Sequence, residues 1–208
     1  MTKACFIVVE GLEGAGKSTA VSTISSFLSA KGIEFITTRE PGGTALAEEI
    51  RHVVKKVHEE KLSDEAELLL MYAARVQLIE QRIKPALADG VWVIGDRHDL
   101  SSLAYQGGGR GIDMQLIHGI RDAVLKGFCP DLTIYMDVPA DIGMQRVVQR
   151  GAKDRIEKEA LTFFERVRDT YQAYANADDS IVTVDASQPL NKVQESLQQA
   201  LTTWYDNQ

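Results

Sequence analysis

The stretch VVEGLEGAGKSTA, residues 8–20, contains residue types at the spacing that binds the phosphate groups of a nucleotide. Four residues fit the pattern G-x-x-x-x-G-K-S/T without a mismatch: Gly11, Gly16, Lys17 and Ser18. In such a loop the glycines let backbone N–H groups converge on phosphate oxygens, the lysine adds a positive charge, and the serine hydroxyl is a ligand for Mg²⁺. We therefore predict a nucleotide-binding loop (P-loop), in which the carboxylate of Glu13 requires a separate explanation.

The loop alone leaves the acceptor of the phosphoryl group open, because both water and small molecules are acceptors for enzymes that carry it. A guanine-specific GTPase would contain the sequence Asn-Lys-x-Asp, whereas the one Asn-Lys pair of this chain, Asn191-Lys192, is followed by Val193 and Gln194. A chain of 208 residues with one such loop also lacks a second domain for a motor to move. The sequence therefore favours transfer to a small molecule.

Three arginines indicate where that molecule would bind. Arg39 follows the second strand-like run of the sequence, Arg97 follows the third, and Arg75 lies in a long helical pattern. Residues just past the carboxyl ends of parallel strands meet at the ligand crevice of an open sheet, so Arg39 and Arg97 are predicted to lie beside the P-loop. Because a guanidinium binds phosphate through two parallel hydrogen bonds, this placement favours a phosphorylated acceptor over water.

The elements that must position these residues alternate along the chain. Five apolar runs rich in β-branched or aromatic residues occupy residues 5–10, 34–39, 91–96, 132–138 and 180–186. Continuous apolar runs are typical of strands buried on both faces, and the amphipathic segments between them are typical of helices. We predict one doubly wound α/β domain over residues 1–208, with a five-stranded parallel sheet flanked by helices.

Local signals predict where some of the helices begin and end. Gly32 is placed to terminate the helix that follows the P-loop, and Ser63 is a predicted N-cap. The helical pattern after Ser63 is long, and Pro85 is predicted to mark a kink or restart because proline lacks the N–H group of the helical ladder.

Composition argues against several classes of protein. The formal net charge is −7 and no block of lysine and arginine stands out, so no nucleic-acid partner is expected. The apolar runs are too short to cross a membrane and the N-terminal stretch lacks the apolar core of a secretory signal, which predicts a cytoplasmic location. Cys5 and Cys129 lack the spacing of metal ligands, and both are predicted to be reduced core residues.

The chain resembles bacterial thymidylate kinases, which have a P-loop NTPase-like fold. The stretches that carry the resemblance lie between residues 10 and 157: EGLEGAGKST, TREPGGT, MYAARVQL, GDRHDLSSLAYQGGGRG, PDLTIYMDV and QRGAKDRIE. The resemblance implies a nucleoside monophosphate kinase that transfers the γ-phosphoryl group of ATP to dTMP, yielding dTDP for dTTP synthesis. It also implies Mg²⁺ as the cofactor and a homodimer built on long helices.

The resemblance implies a role for each residue of the predicted acceptor site. Arg39 and Arg97 correspond to ligands of the acceptor phosphate, and Arg75 corresponds to the arginine that contacts thymine O4. Glu13 corresponds to an acid that binds the 3′-hydroxyl of the acceptor sugar, which would explain a carboxylate in the loop. The remaining predicted dTMP ligands are Met71, Ser102, Tyr105 and Gln106.

The predicted ATP site comprises the P-loop and an acid at the end of the third strand. The predicted P-loop ligands are Gly11, Glu13, Gly14, Ala15, Gly16, Lys17, Ser18 and Thr19. Ser18 is predicted to bind Mg²⁺, and Asp96 is predicted to act near the metal or on a water bound to it. Asp137 also ends a strand but leads into a proline and a helix, which favours a structural role. The segment DASQPL, residues 185–190, resembles the loop that holds adenine.

The predicted base site departs from the family pattern at one position. Thymine usually stacks on a phenylalanine one helical turn before the arginine, and that position is Met71 here. A kinase for another nucleoside monophosphate therefore stays open as an alternative. A nucleotide-gated P-loop regulatory module is a second alternative, although it would leave the three arginines without an anionic ligand.

The family divides into two types by the source of a positive charge near the transferred phosphoryl group. One type carries an arginine in the P-loop, at the position of Gly14. This chain instead has Arg150, Lys153 and Arg155 in a polar segment at about residues 148–157, which is predicted to be a lid over ATP. The predicted catalytic residues are Lys17, Asp96, Arg150 and Arg155. An arginine introduced at position 14 is expected to restore part of the activity of a variant that lacks Arg150.

Overall fold

The computed structural model describes residues 3–151 and 154–207, without the side chain of Arg150. Its strands are β1 (Phe6–Gly11), β2 (Phe35–Arg39), β3 (Trp92–Asp96), β4 (Leu132–Asp137) and β5 (Ile181–Asp185). They form one sheet in which every pairing is parallel, in the order β2-β3-β1-β4-β5. The predicted five-stranded parallel sheet is confirmed, and its order is consistent with a P-loop NTPase-like fold.

Helices flank the sheet and connect its strands. They are α1 (Lys17–Ala30), α2 (Ala45–Lys55), α3 (Asp64–Leu78), α4 (Lys84–Ala88), α5 (Asp99–Ser102), α6 (Met114–Leu125), α7 (Ala140–Arg150), α8 (Leu161–Ala177) and α9 (Leu190–Asp206). Two π-helical segments, Ile79–Ile83 and Leu103–Gly109, directly follow α3 and α5.

The central strand β1 is buried along its whole length because it lies between β3 and β4 with core residues on both faces. Phe6 and Val8 belong to one apolar cluster, and Ile7 and Val9 belong to the other. Alternate residues of a strand point to opposite faces, so a strand covered on both faces requires an uninterrupted apolar run. The P-loop follows β1 and therefore lies at the carboxyl edge of the sheet.

The helix after the P-loop ends where the sequence predicts. Gly32 has a φ of 69° and follows the C-cap of α1. Its N–H donates to Ser29 O at 3.0 Å, and the N–H of Ile33 donates to Leu28 O at 3.0 Å. These two bonds form a Schellman motif, in which a glycine adopts the left-handed conformation without the steric cost of a Cβ.

The N-cap of α3 is Ser63, as predicted, and its Oγ accepts a hydrogen bond from the N–H of Ala66. Beyond α3 the ladder widens to π-helical spacing over Ile79–Ile83, and α4 then starts with Pro85 in its first turn. Proline has no N–H to donate to the carbonyl four residues earlier, so the regular ladder is interrupted there. The predicted restart at Pro85 is confirmed.

The second π-helical segment, Leu103–Gly109, packs closely against α8. A Cβ at Gly109 would lie 2.5 Å from the ring of Phe163, so a residue with a side chain would force the two elements apart. The glycine run thus permits the close approach. The approach buries Tyr105 and Gln106, which lie in this segment.

Two predictions made from composition have different outcomes. Cys5 is buried as predicted, but Cys129 is exposed, so its prediction as a core residue is wrong. Cys129 lies in the connection between α6 and β4, and such connections run over the surface because their backbone groups need water.

Within the described part of the chain, no helix is long and apolar enough to cross a membrane.

Candidate active site

A cavity of about 340 Å³ lies at the carboxyl ends of β1, β2 and β3. Its lining includes these predicted site residues: Glu13, Gly14, Gly16, Lys17, Ser18, Arg39, Met71, Arg75, Asp96, Arg97, Ser102, Tyr105 and Gln106. Three predicted P-loop residues lie outside the lining: Gly11, which is buried at the end of β1, Ala15, which is buried in the loop, and Thr19 in the first turn of α1. Sequence reasoning missed these lining residues: Glu40, Pro41, Arg51, Lys55, Ser101, Asp154, Ile156 and Glu157.

Lys17 lies against the backbone of the P-loop. Its Nζ donates hydrogen bonds to the carbonyl oxygens of Gly11, at 3.1 Å, and Leu12, at 2.8 Å. Burial lowers the pKa of Lys17 to about 8 and the charge of Arg97 adds to this shift, while nearby carboxylates oppose it. Because Lys17 begins α1, its ammonium lies beside the first turn of that helix, whose free backbone N–H groups also attract phosphate.

Gly14 is in direct contact with α7. It has a φ of 75°, and a Cβ at this position would overlap the carbonyl oxygen of Gly143. Any other residue would combine an unfavourable backbone conformation with a clash against backbone. An arginine at position 14 would therefore require the loop and α7 to move apart, and its expected effect on activity stays a prediction.

The carboxylate of Glu13 is directed away from the centre of the P-loop, toward the residues that follow β3. Arg97 Nη2 donates to Glu13 Oε1 at 2.8 Å, and the hydroxyl of Tyr105 donates to Oε2 at 2.5 Å. Burial alone would raise the pKa of Glu13, but the charges of Arg97 and Lys17 outweigh it and lower that pKa. Glu13 is thus an ionised partner of Arg97, which explains a carboxylate in a phosphate-binding loop.

The backbone of Arg97, the partner of Glu13, lies in the left-handed region. Its φ is 74°, which is uncommon for a residue with a side chain and costs energy. The guanidinium also donates to Ser101 Oγ at 3.0 Å and to Tyr171 OH at 3.2 Å, and it packs over the ring of Tyr105. These contacts hold a cation at the cavity wall in one orientation.

Three further cations line the cavity beside α2. Arg39 is half-exposed and pairs with Glu48 at 2.8 Å. Arg51 donates to a carbonyl of the loop before α2 at 2.7 Å, and Lys55 pairs with Asp154 at 2.7 Å. The signal that sequence reasoning missed is the i, i+4 spacing of Arg51 and Lys55, which places both on one face of α2.

Arg75 is buried at the wall of the cavity, with 2% of its surface exposed. Its Nε donates to Glu40 Oε2 at 2.7 Å, its Nη1 to Ser102 Oγ at 2.9 Å and its Nη2 to His98 O at 2.9 Å. Burial would lower the pKa of Arg75, but Glu40 and Asp99 outweigh it and raise that pKa. Sequence reasoning placed Arg75 in the site and missed its partners Glu40 and His98.

Met71 lies one helical turn before Arg75 on α3. It lines the cavity and is also partly buried against the apolar core. Met71 therefore contacts both the ligand space and the core.

Asp96 and Ser18 form an arrangement that fits a divalent cation. Asp96 ends β3, its Oδ1 is buried without a hydrogen-bond partner in the described structure, and Ser18 lines the same cavity. A buried carboxylate oxygen without a partner is costly unless it binds a metal or water. Residues 3–151 and 154–207 contain no cluster of three or more His, Cys, Asp or Glu suited to a metal. Mg²⁺ is usually bound through one or two side-chain oxygens, with phosphates and water as its other ligands.

Asp137 has a different environment from Asp96, although both end strands. It accepts hydrogen bonds from Arg168, at 2.8 and 3.0 Å, from Gln172 at 3.0 Å and from the hydroxyl of Tyr135 at 2.8 Å. Both of its oxygens are therefore engaged with α8 and β4. The arrangement agrees with the structural role predicted for it.

The predicted lid is described in part. The backbone of Arg150 ends α7 while its side chain lies outside the description, and Lys153 lies outside the described residues. Arg155 is directed to α2 and α3: its Nε donates to Val54 O at 2.8 Å and its Nη2 donates to Glu67. The neighbours of Arg155 line the cavity, and Arg155 itself fixes this segment to the two helices.

Glu67 on α3 joins the lid segment to the predicted base site. It is 1% exposed and accepts hydrogen bonds from Arg155, from Arg110 Nη2 at 3.2 Å and from Gln106 Nε2 at 2.7 Å. Burial would raise the pKa of Glu67, but Arg110 and Arg155 outweigh it and lower that pKa. Gln106 and Arg155 are thus bound to one ionised carboxylate, which sequence reasoning missed.

The chain matches the model of a known protein family. The family model described as thymidylate kinase matches residues 9–197, from within β1 into α9. The matched range contains every residue that lines the cavity.

Proposed function

The chain belongs to the thymidylate kinase family, and we propose that the cavity at the carboxyl ends of β1, β2 and β3 is its active site. The protein phosphorylates dTMP to dTDP with ATP, which resolves the alternatives that the sequence left open. The observation that carries the assignment of the cavity is the ion pair between Glu13 and Arg97, because it joins the P-loop to a second cationic site.

The acceptor phosphate of dTMP is bound by Arg97 and Arg39 in this proposal. Support comes from the preorganised guanidinium of Arg97 and from the position of Arg39 at the end of β2. Arg51 lies on the same side of the cavity and adds positive charge. Glu13, held ionised beside Arg97, accepts a hydrogen bond from the 3′-hydroxyl of the sugar.

The phosphates of ATP are bound by the N–H groups of the P-loop and by Lys17. We place adenine near residues 185–190. Arg146 supports this placement, because its Nη1 donates to Gly14 O and to Ala186 O, each at 3.1 Å. One arginine thus fixes the P-loop relative to the adenine loop that the sequence suggests.

Mg²⁺ is held in this proposal by the hydroxyl of Ser18 and, through water, by Asp96. When bound, the metal neutralises charge on the β- and γ-phosphate oxygens of ATP. The unpaired Oδ1 of Asp96 supports its assignment as the acid of this site.

The chain's own residues act mainly by positioning and by electrostatic stabilisation. Lys17 moves from the loop carbonyls to the transferred phosphoryl group, and Arg97 holds the attacking phosphate of dTMP in line with it. Arg150 supplies the charge that a P-loop arginine supplies in other members of the family. The close contact of Gly14 with α7 supports this lid-dependent type, because it leaves little room for a side chain at position 14.

Selection of the base rests on Arg75, which carries hydrogen-bond donors and no acceptor. Such a group favours the O4 carbonyl of thymine over an amino group. Ser102 and Gln106 complete the polar wall around the base, Met71 contacts its face, and Tyr105 packs against the sugar.

We also propose that the protein is a homodimer. Six of its exposed large apolar side chains lie on or beside three helices: Leu46, Val53, Val57, Leu69, Leu116 and Val124. These helices are adjacent, since α3 contacts both α2 and α6. Exposed apolar side chains concentrated on neighbouring elements are typical of a subunit interface.

A cytoplasmic location is a further proposal, supported by the exposed free thiol of Cys129, which suits a reducing compartment.

Steady-state assay with ATP and a panel of acceptors tests the proposed function. The panel contains dTMP, dUMP, dCMP, dGMP, AMP and CMP at matched concentrations. We expect dTMP to have the highest kcat/KM. A higher value for any other acceptor would contradict the assignment of the base site.

A further inference from the structure

Glu40, in the loop after β2, uses both carboxylate oxygens to hold two other side chains of the site. Oε2 accepts from Arg75 Nε at 2.7 Å, and Oε1 lies 2.8 Å from His98 Nδ1. A carboxylate only accepts hydrogen bonds, so the proton of this contact is on Nδ1. Burial would raise the pKa of Glu40, but Arg75 and His98 outweigh it and lower that pKa, so the carboxylate is ionised.

His98 is itself fixed and cannot follow Arg75 if the arginine moves. Its backbone N–H donates to Glu10 Oε1 at 2.7 Å, and its ring lies edge-on to Phe6 with centroids 5.2 Å apart. Its carbonyl oxygen accepts the bond from Arg75 Nη2 at 2.9 Å. His98 thus restrains Arg75 twice, directly through its carbonyl and indirectly through Glu40.

The restraints leave Arg75 with a defined set of unused donors. A guanidinium has five N–H groups, and Glu40, Ser102 and His98 O each accept from one of them. The two others make no hydrogen bond and lie in the same plane; Nη1 also forms an ion pair with Asp99 Oδ1 at 3.6 Å, and the side chain lines the cavity. Since the partners fix that plane, the donors meet a base at one angle and cannot turn away from an unsuitable group.

We propose that Glu40, together with His98, is the positioning element that gives Arg75 its specificity for a pyrimidine with a carbonyl at position 4. Cytosine carries an amino group at that position, so its N–H would meet the N–H groups of a guanidinium that cannot retreat. A site built to bond one group rejects an analogue that lacks it because its buried polar groups are then left unpaired. The inference rests on the proposed contact of Arg75 with the base.

The experiment compares kcat and KM for dTMP and for dCMP in Glu40→Gln and in the wild type. The amide keeps the size of the side chain and removes the charge that orients the guanidinium. We expect the ratio of kcat/KM for dTMP over dCMP to fall by about 10- to 100-fold, through a rise in KM for dTMP, with KM for ATP unchanged. Asp137→Asn is the matched control, because it removes a carboxylate that holds an arginine outside the cavity, and we expect its ratio to equal that of the wild type.

A double-mutant cycle shows whether Glu40 acts through Arg75. In an Arg75→Lys background, Glu40→Gln should change the dTMP/dCMP ratio by less than about twofold, because the group it orients is gone. If Arg75→Lys alone leaves the ratio unchanged, the proposed contact of Arg75 with the base is wrong. If Arg75→Lys lowers the ratio and Glu40→Gln does not, the proposed function stands and the inference about Glu40 is wrong.

Variants of His98 keep the test decisive if Glu40→Gln does not fold. The amide N–H of asparagine can replace Nδ1–H as the donor to Glu40, so His98→Asn should retain the ratio of the wild type. His98→Ala lacks this donor and should lower the ratio. Equal ratios for His98→Asn and His98→Ala, whether both high or both low, would overturn the proposal.

Discussion

The guanidinium of Arg97 and the carboxylate of Glu13 form an ion pair at 2.8 Å between the P-loop and the residue that follows β3. Both side chains are largely buried, so each leaves an uncompensated charge if the other is removed. This relationship places the carboxylate of a phosphate-binding loop in the acceptor site. The first two predictions follow from it.

Glu13→Ala should weaken binding of dTMP much more than binding of ATP. The variant loses a charge-assisted hydrogen bond to the sugar, which is worth about 1.5–3 kcal/mol, or roughly 10- to 150-fold in Kd. Calorimetric titration with each nucleotide gives the two values. As a control, 3′-deoxy-dTMP should bind the wild type more weakly than dTMP does. The variant should bind the two nucleotides with about the same Kd. Equal losses for ATP and dTMP would mean that Glu13 shapes the loop instead.

Arg97→Ala should abolish detectable binding of dTMP while leaving the Kd for ATP nearly unchanged. The variant removes the preorganised cation of the acceptor site and leaves the P-loop lysine in place. Calorimetry with dTMP and ATP measures both effects. Thymidine, which lacks the phosphate, should bind equally weakly to the wild type and the variant. An unchanged Kd for dTMP in Arg97→Ala would reject the assignment.

Arg150→Ala should lower kcat and kcat/KM by about 10³–10⁵, or roughly 4–7 kcal/mol of barrier. Negative charge on the transferred phosphoryl group must be neutralised, and the close contact of Gly14 with α7 leaves little space for an arginine of the P-loop to neutralise it. ATP and dTMP should still bind in the ground state. Arg155→Ala is the informative comparison, because Arg155 is engaged with Glu67 and Val54 and should have a smaller effect on kcat. A near-normal kcat for Arg150→Ala, with chemistry rate-limiting, would contradict the lid-dependent type.

Binding of ATP should take up a proton near pH 8.5. Burial, aided by Arg97, lowers the pKa of Lys17 to about 8, so above that pH the free protein holds the neutral amine. Phosphates stabilise the ammonium and raise its pKa on binding, so affinity should fall as pH rises through about 8. Calorimetry in two buffers of different ionisation enthalpy measures the uptake. The arginine of Lys17→Arg stays charged, so this variant should take up no proton when it binds ATP. Equal proton uptake in the wild type and in Lys17→Arg would show that a group other than Lys17 takes up the proton.

Leu69→Glu should convert the proposed dimer to a monomer. Leu69 lies on α3 with 55% of its surface exposed, and a carboxylate there would be buried without a partner in an interface. Light scattering after size-exclusion chromatography measures the mass of each protein. Leu190→Glu, on α9 and 60% exposed, is the matched control and should keep the mass of the wild type. A monomeric wild type would exclude the dimer.

The sequence by itself determined the parts of this protein that depend on local chemistry. The central strands were predictable because a strand buried on both faces must be apolar along its length, as β1 is. The edge strands β2 and β5 are partly exposed and were predictable from their β-branched residues. Gly32, Ser63 and Pro85 mark helix boundaries through their own backbone requirements, which neighbouring elements do not change. Arg39 and Arg97 were predictable members of the site because parallel strands bring their carboxyl ends to one edge.

Only the tertiary structure decided which side chains hold these residues in place. Arg75 and Glu40 are 35 residues apart in the sequence, and Glu67 and Arg155 are 88 apart. Nothing local distinguishes such acids from solvated ones, because their burial and partners depend on how α3, the loop after β2 and the lid segment pack together. The same holds for Gly14, whose lack of space comes from α7, far along the chain. Close packing of distant elements settles these contacts, and no local pattern encodes it.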